Sequence, residues 1–143
     1  MQCFIGGACS GRRELVSKRF PAAHWERLNP GEGVADWLGD LPEGATLVVT
    51  GWAGWLTAAQ AEVDDDGVRA SWRAMLEALA AQETRGLEVV LILDEMGRGI
   101  VPMAPEARRL RDLNGWLVQE VASRCSAVWY VRHGLARRLD LAQ

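Results

Sequence analysis

The sequence predicts an α/β fold, a mostly parallel β-sheet flanked by helices. Three observations predict it. Short apolar runs at Gln2–Ile5, Thr46–Thr50, Glu88–Leu93 and Ala127–Val131 alternate with longer stretches of helical periodicity. The two middle runs, TLVVT and EVVLIL, are continuous and β-branched, the mark of strands covered on both faces. Strands alternating with helices in this way imply right-handed crossovers between parallel neighbours.

In chain order, Gln2–Ile5 is a first strand leading into a glycine loop, Gly6–Arg13, and then a brief helix over Arg12–Phe20. His24–Leu28 reads as an edge strand and Gly33–Leu41 as a short helix. After the Thr46–Thr50 strand, Asp66 is a good N-cap for a helix whose stripe is Val68, Trp72, Met75, Leu76 and Leu79, ended by Gly86. Glu88–Leu93 is the second buried strand. From Pro105 a long helix places Leu110, Leu113, Leu117 and Val121 on one face. Ala127–Val131 is the last strand and Leu135–Leu141 a short tail. Trp52 and Trp55 follow a strand end, where they wall a pocket or, by default, pack in the core.

At 143 residues the chain is expected to form one domain, 1–143, able to bury roughly 68–70% of its unfolded surface. Apolar residues make up 49% and charged residues 24%, a globular balance rather than a disordered or fibrous one. No apolar run is long enough to span a membrane, and no secretory signal is read at the start. Cys3, Cys9 and Cys125, odd in number and widely spaced, predict reduced thiols in a cytoplasm rather than a disulfide or zinc framework. A net charge of −3 with scattered basic residues gives no reason to expect nucleic acid as a partner.

Ligands on such sheets sit at the carboxyl ends of the strands, here the loops after Ile5, Thr50 and Leu93. The first, GGACSGRR, has the outline of a phosphate-wrapping loop, G-x-x-x-x-G-K followed by serine or threonine. It stands in the required place between strand and helix. Its members are Gly6, Gly7, Ala8, Cys9, Ser10, Gly11, Arg12 and Arg13, so arginines occupy the places of the lysine and the hydroxyl. The alternative is a plain glycine-rich turn. Arg12 keeps a positive charge in a planar fork, whereas Arg13 supplies no hydroxyl for Mg²⁺. Lys18, the one lysine, cannot serve the loop from where it stands.

Asp94 and Glu95 at the end of a buried strand are suited to hold Mg²⁺ through water or to orient a substrate hydroxyl. The alternative is that they cap a turn containing Gly97 and Gly99. On the long helix, Arg108, Arg109, Arg111 and Asp112 form either a solvated face or a site centred on Arg111 with Asp112 fixing it. His24 and His133 have no second metal-ligand type at useful spacing and read as structural.

Together LDEMGRGIVP, RRLRDLNGWLVQEVA and AVWYV resemble the C-terminal half of the bifunctional adenosylcobinamide kinase/adenosylcobinamide-phosphate guanylyltransferase family of cobalamin biosynthesis. GGACSG matches that family's opening loop, PAAHW its PxHW-like piece, and TLVVTGWAGWLT its central strand and tryptophan-containing turn. The resemblance implies a P-loop NTPase-like domain that binds ATP or GTP, phosphorylates a corrinoid, and transfers GMP through a histidine–nucleotide intermediate. It also implies a homo-oligomer, a trimer, with shared sites.

Against the family pattern this chain is shortened. Arg12 and Arg13 replace the lysine and serine, and Thr50 the acidic residue of the central strand. Val118 replaces an asparagine, and Ser17, Lys18 and Arg19 lie where the accepting histidine belongs. His24 does not correspond to that histidine. Glu95, Gly97, Gly99, Pro102, Arg111, Asp112 and Gln119 remain. Two functions are therefore expected as alternatives. One is a nucleotide-binding enzyme of reduced or lost catalysis, with Glu95 near the phosphates. The other is a non-catalytic corrinoid-, nucleotide- or partner-binding relative that keeps only fold and oligomer contacts.

Overall fold

The computed structural model describes residues 1–34, 38–97 and 99–140. Six strands, β1 (Gln2–Gly6), β2 (His24–Arg27), β3 (Thr46–Thr50), β4 (Glu88–Asp94), β5 (Ala127–Arg132) and β6 (Leu135–Arg138), form one sheet in the order β2-β3-β4-β1-β5-β6. Every pairing is parallel except the closing β5–β6 hairpin. Among the described residues four helices flank it: α1 (Arg12–Arg19), α2 (Trp52–Glu62), α3 (Asp65–Gln82) and α4 (Pro105–Arg124). The fold is the expected P-loop NTPase-like α/β arrangement, with β1 between β4 and β5.

Alternation along the strands divides the core in two. Cys3, Ile5, Leu47, Val49, Val89, Leu91 and Leu93 face α2, α3 and α4, where Trp52, Leu56, Trp72, Leu76, Leu113 and Leu117 complete the larger cluster. Phe4, Val48, Val90 and Val131 point the other way, toward Val16 of α1. Only the eight-residue α1 covers that second face among the described helices. Phe4 stacks on Trp129 at a centroid separation of 5.9 Å, and the Arg19 guanidinium lies 4.2 Å from the Trp129 ring centroid.

Three local expectations need correction. The cap of α3 is Asp64, not Asp66: its extended backbone lets Oδ1 accept from the Gly67 amide at 2.8 Å, while Asp65 and Asp66 sit in the first turn beside the positive helix end. The tryptophan-containing turn after β3 is the helix α2, and Trp52 and Trp55 are buried in the core. The tail after β5 is the strand β6, paired through Trp129↔Arg138 and Val131↔Ala136. The expected stripe of α4 holds, with Leu110 half-buried against the cluster that contains Leu113, Leu117 and Val121, and the buried Asn114 joins it. The expected helix over Gly33–Leu41 includes residues 35–37, which lie outside the described residues.

Trp72 is fully buried, and its indole N–H donates to Glu120 Oε2 at 3.0 Å, joining α3 to α4. Trp72→Ala is expected to cost about 3–5 kcal/mol in urea unfolding. A loss below about 1 kcal/mol would contradict the packing of α3 described above.

Candidate functional site

The glycine loop leaves the carboxyl end of β1 between two parallel neighbours, and its geometry follows from its small residues. A Cβ on Gly6 would stand 2.6 Å from Ser10 Oγ and 2.6 Å from the Val131 carbonyl, so this position has no room for a side chain. Cys9 and Gly11 adopt left-handed backbone, with φ of 59° and 89°. These two bends curl the chain so that successive amides can face a common point, the arrangement of an anion-binding nest. Gly11 is also the N-cap of α1, and its carbonyl accepts the first helical bond from Leu15 at 3.0 Å.

From outside, the β5–β6 turn braces the loop. The Gly134 amide donates to the Ser10 carbonyl at 2.8 Å, and a Cβ on Gly11 would meet Gly134 Cα at 2.9 Å. Ser10 is buried, and its hydroxyl has no hydrogen-bond partner among the described residues.

Both loop arginines are already engaged. Arg12 sends its stem across Gly6 and donates to Asp94 Oδ1 at 2.9 Å and to the Leu93 carbonyl. Its side chain is only 14% exposed, so the charge that stands in the lysine's place is turned toward the end of β4. Arg13 lies over Trp25 of β2, 5.3 Å from the ring centroid. Asp94, expected to face a metal or substrate, pairs with Arg12 and is still partly exposed.

Glu95 stands beside them. Its amide donates to the Gly6 carbonyl at 2.8 Å, and its carboxylate accepts from the Tyr130 hydroxyl at 2.8 Å. Asn114 of α4 donates to the Asp94 carbonyl at 2.8 Å, while its own Oδ1 has no hydrogen-bond partner among the described residues. The β4–α4 loop turns at Gly97 and Gly99, both left-handed. Arg111 donates to the Gly97 carbonyl at 2.5 Å, and its Nε would lie 3.1 Å from a Cβ on Gly97. Arg111 is thus held by Gly97, while Asp112 is exposed on α4 and Gly99 faces open space. Arg109 bonds Asp65 Oδ1 at 2.6 Å and the Val63 carbonyl at 2.7 Å, tying α4 to the α2–α3 turn.

The fold therefore brings Gly6–Arg13, Asp94, Glu95 and, through Gly97, Arg111 to one edge of the sheet. Tyr130, Asn114, Trp25 and Gly134 belong to the same edge and were not among the expected site residues. Asn114 is signalled by a polar residue on an otherwise apolar helical stripe, and Tyr130 by a lone hydroxyl in a strand that ends beside the loop. Away from this edge, a mostly apolar groove of about 800 Å³ lies between the β2-exit loop at Pro30–Gly33 and α2 and α3, with Trp55 and Met75 on its walls.

Comparison with known proteins identifies the family rather than the site. The family model described as cobinamide kinase / cobinamide phosphate guanyltransferase matches residues 5–139. The chain is 32% identical over 126 residues to the bifunctional adenosylcobalamin biosynthesis protein CobP of Pseudomonas aeruginosa, a match covering 87% of this chain and 71% of that protein. It is 36% identical over 61 residues to the bifunctional adenosylcobalamin biosynthesis protein CobU of Escherichia coli, covering 43% of this chain and 34% of that protein.

Proposed function

The chain belongs to the cobinamide kinase/cobinamide phosphate guanyltransferase family, and from that membership we propose that it binds ATP or GTP on Gly6–Arg13 with transfer chemistry reduced or lost. The observation that carries this reading is the left-handed loop of Cys9 and Gly11 at the amino end of α1. Main-chain amides and the positive helix end favour a polyphosphate there without help from any side chain. Glu95 takes the place nearest the terminal phosphate. Asp94, Gly97, Gly99, Arg111 and Asp112 form the substrate side, whose acceptor is a corrinoid. Assembly as a homo-oligomer, a trimer, in the cytoplasm belongs to the same proposal.

Transfer is reduced because the groups that would drive it are replaced or committed. Arg12 is paired with Asp94, Arg13 is stacked on Trp25, and Thr50 brings no charge to the end of β3. His24 is exposed on β2 and His133 occupies the β5–β6 turn, so no histidine is built into the loop as a guanylyl acceptor. Among the described residues no group of three or more His, Cys, Asp or Glu could hold a metal. Mg²⁺ would therefore come with the nucleotide's phosphates, with Glu95 the nearby carboxylate, since Asp94 is paired with Arg12. Losing a positioned electrostatic donor costs about 2.7–4 kcal/mol of transition-state stabilisation, enough to slow transfer while binding survives.

A second reading is a relative that keeps the fold and subunit contacts and binds a corrinoid, nucleotide or protein partner without chemistry. The stem of Arg12 across Gly6 favours it, because that stem takes space beside the loop. Thermal unfolding with GTP and ATP, with and without Mg²⁺ and with turnover followed in parallel, separates the two. At 100 times its dissociation constant a nucleotide adds about 2.7 kcal/mol of stability. Binding with little or no turnover is the expected result. No shift at millimolar nucleotide would remove the first reading and leave the second.

A further inference from the structure

At the amino end of the sheet, opposite the glycine loop, two thiols meet that the proposed nucleotide chemistry does not use. Cys3 of β1 is fully buried on the face toward α4. Cys125, the residue that ends α4, is half-buried and packs against the same core cluster. Backbone contacts fix the two segments side by side. The Ser126 amide and hydroxyl both donate to the Met1 carbonyl, at 2.9 Å and 3.0 Å, and β5 then pairs Gln2↔Ala127 and Cys3↔Val128.

Met1 and Cys3 belong to the core cluster over this end of β1 and Cys125 packs against it, so the two thiols share one small region of the core. Interaction with Cys3 holds the Cys125 thiol below its ordinary range, while the same interaction and burial push Cys3 up. Both cysteines are free thiols in this structure. Cys9, the third, is exposed on the loop beyond the other end of β1.

We propose that Cys3 and Cys125 are a modification site: a dithiol that a hydroperoxide closes into a reversible disulfide between β1 and the α4–β5 junction. Access sets the order of events. The Cys125 thiolate, reachable from solvent where Cys3 is not, attacks the terminal peroxide oxygen; the O–O bond breaks, giving Cys125 sulfenic acid and an alkoxide (hydroxide from hydrogen peroxide), which takes a proton from solvent and leaves as alcohol or water. The Cys3 sulfur then attacks the Cys125 sulfur. The S–S bond forms, the S–O bond breaks, and the departing hydroxide takes the Cys3 proton. Two thiols and one hydroperoxide thus become one disulfide, one alcohol and one water (with hydrogen peroxide, two waters). A dithiol reductant reverses the change by thiol–disulfide exchange.

The test uses the full chain carrying Cys9→Ser, so that no third thiol competes, treated with hydrogen peroxide at neutral pH. The expected result is a loss of about 2 Da, with tryptic peptides Met1–Arg12 and Cys125–Arg132 joined. Dithiothreitol should restore the mass, and the oxidised chain should melt about 5 °C or more higher, because the bridge constrains the unfolded chain. Cys125→Ser and Cys3→Ala should each abolish the joined peptide; alanine at position 3 keeps an apolar group in the core. A gain of about 32 Da on Cys125 as sulfinic acid without a joined peptide would overturn the proposal. So would unmodified thiols, or bridges only between two chains. Because no nucleotide is present, the outcome is independent of the nucleotide reading.

Discussion

Gly11→Val abolishes nucleotide binding: GTP or ATP that raises the melting temperature of the natural chain leaves that of the variant unmoved. The backbone at position 11 has a φ of 89°, where a β-branched residue costs on the order of 1–3 kcal/mol. The new Cβ would stand 2.9 Å from Gly134 Cα, which real side chains do not tolerate. The loop must therefore rotate out of its left-handed bend, and the amides that point at a common anion diverge. This loss comes from the brace behind the loop rather than from a side chain reaching the phosphate. The variant is expected to retain its far-ultraviolet circular dichroism and to lose about 2–4 kcal/mol in urea, within the 5–15 kcal/mol available to a typical domain. If Gly11→Val folds and its nucleotide affinity is unchanged, the stretch Gly6–Arg13 is an ordinary turn.

The second large effect runs the other way. Asp94→Asn is expected to strengthen GTP or ATP binding about tenfold, or 1.4 kcal/mol, by isothermal titration. In the natural chain the Arg12 guanidinium is held 2.9 Å from Asp94 Oδ1 and shielded from solvent. An asparagine keeps the shape and removes the charge. The site then gains one unit of positive charge, and Arg12 is free to turn toward the phosphates. The cost is about 1–3 kcal/mol of stability, because a mostly buried cation loses its ionic partner. Arg12→Lys is the companion variant. A compact ammonium on a flexible four-carbon stem should leave affinity equal or higher. A fall in affinity for Asp94→Asn would mean that Asp94 itself meets the nucleotide, and the pairing with Arg12 would then be incidental to binding.

Which features the sequence revealed depends on the distance over which each is decided. The buried strands were legible because burial on both faces demands unbroken apolar runs, and Val89–Leu93 and Leu47–Val49 satisfy that within one window. The α2 helix was present in the spacing of Trp52, Trp55 and Leu56, but a run of alanines with Gly54 leaves little polar contrast to mark its other face. The α3 cap was misplaced by two residues because Asp64, Asp65 and Asp66 all qualify by type, and only backbone conformation selects Asp64. Strand β6 hides behind Arg137 and Arg138, and its pairing with β5 alone reveals it.

In the candidate site, the loop and the carboxylates after β4 could be read from local pattern, and so could their place at the strand ends. Their pairing could not. Arg12 and Asp94 are 82 positions apart, and the parallel pairing Gly6↔Asp94 is what brings them together. Arg111 shows the same limit in small: its local neighbour Asp112 was the expected partner, and the loop carbonyl of Gly97 takes that role.

The proposed binding depends on main-chain amides attracting a polyphosphate although the usual lysine and hydroxyl are replaced. Amide NMR of the uniformly ¹⁵N-labelled natural chain, titrated with GTP and separately with inorganic tripolyphosphate, reports on those groups one by one. The account predicts saturable downfield shifts at the amides of Ala8 through Arg13 with either ligand, and the same shifts in a chain carrying Arg12→Gln. Amides of the loop that stay unmoved at millimolar ligand, or that move only while Arg12 is present, would contradict it.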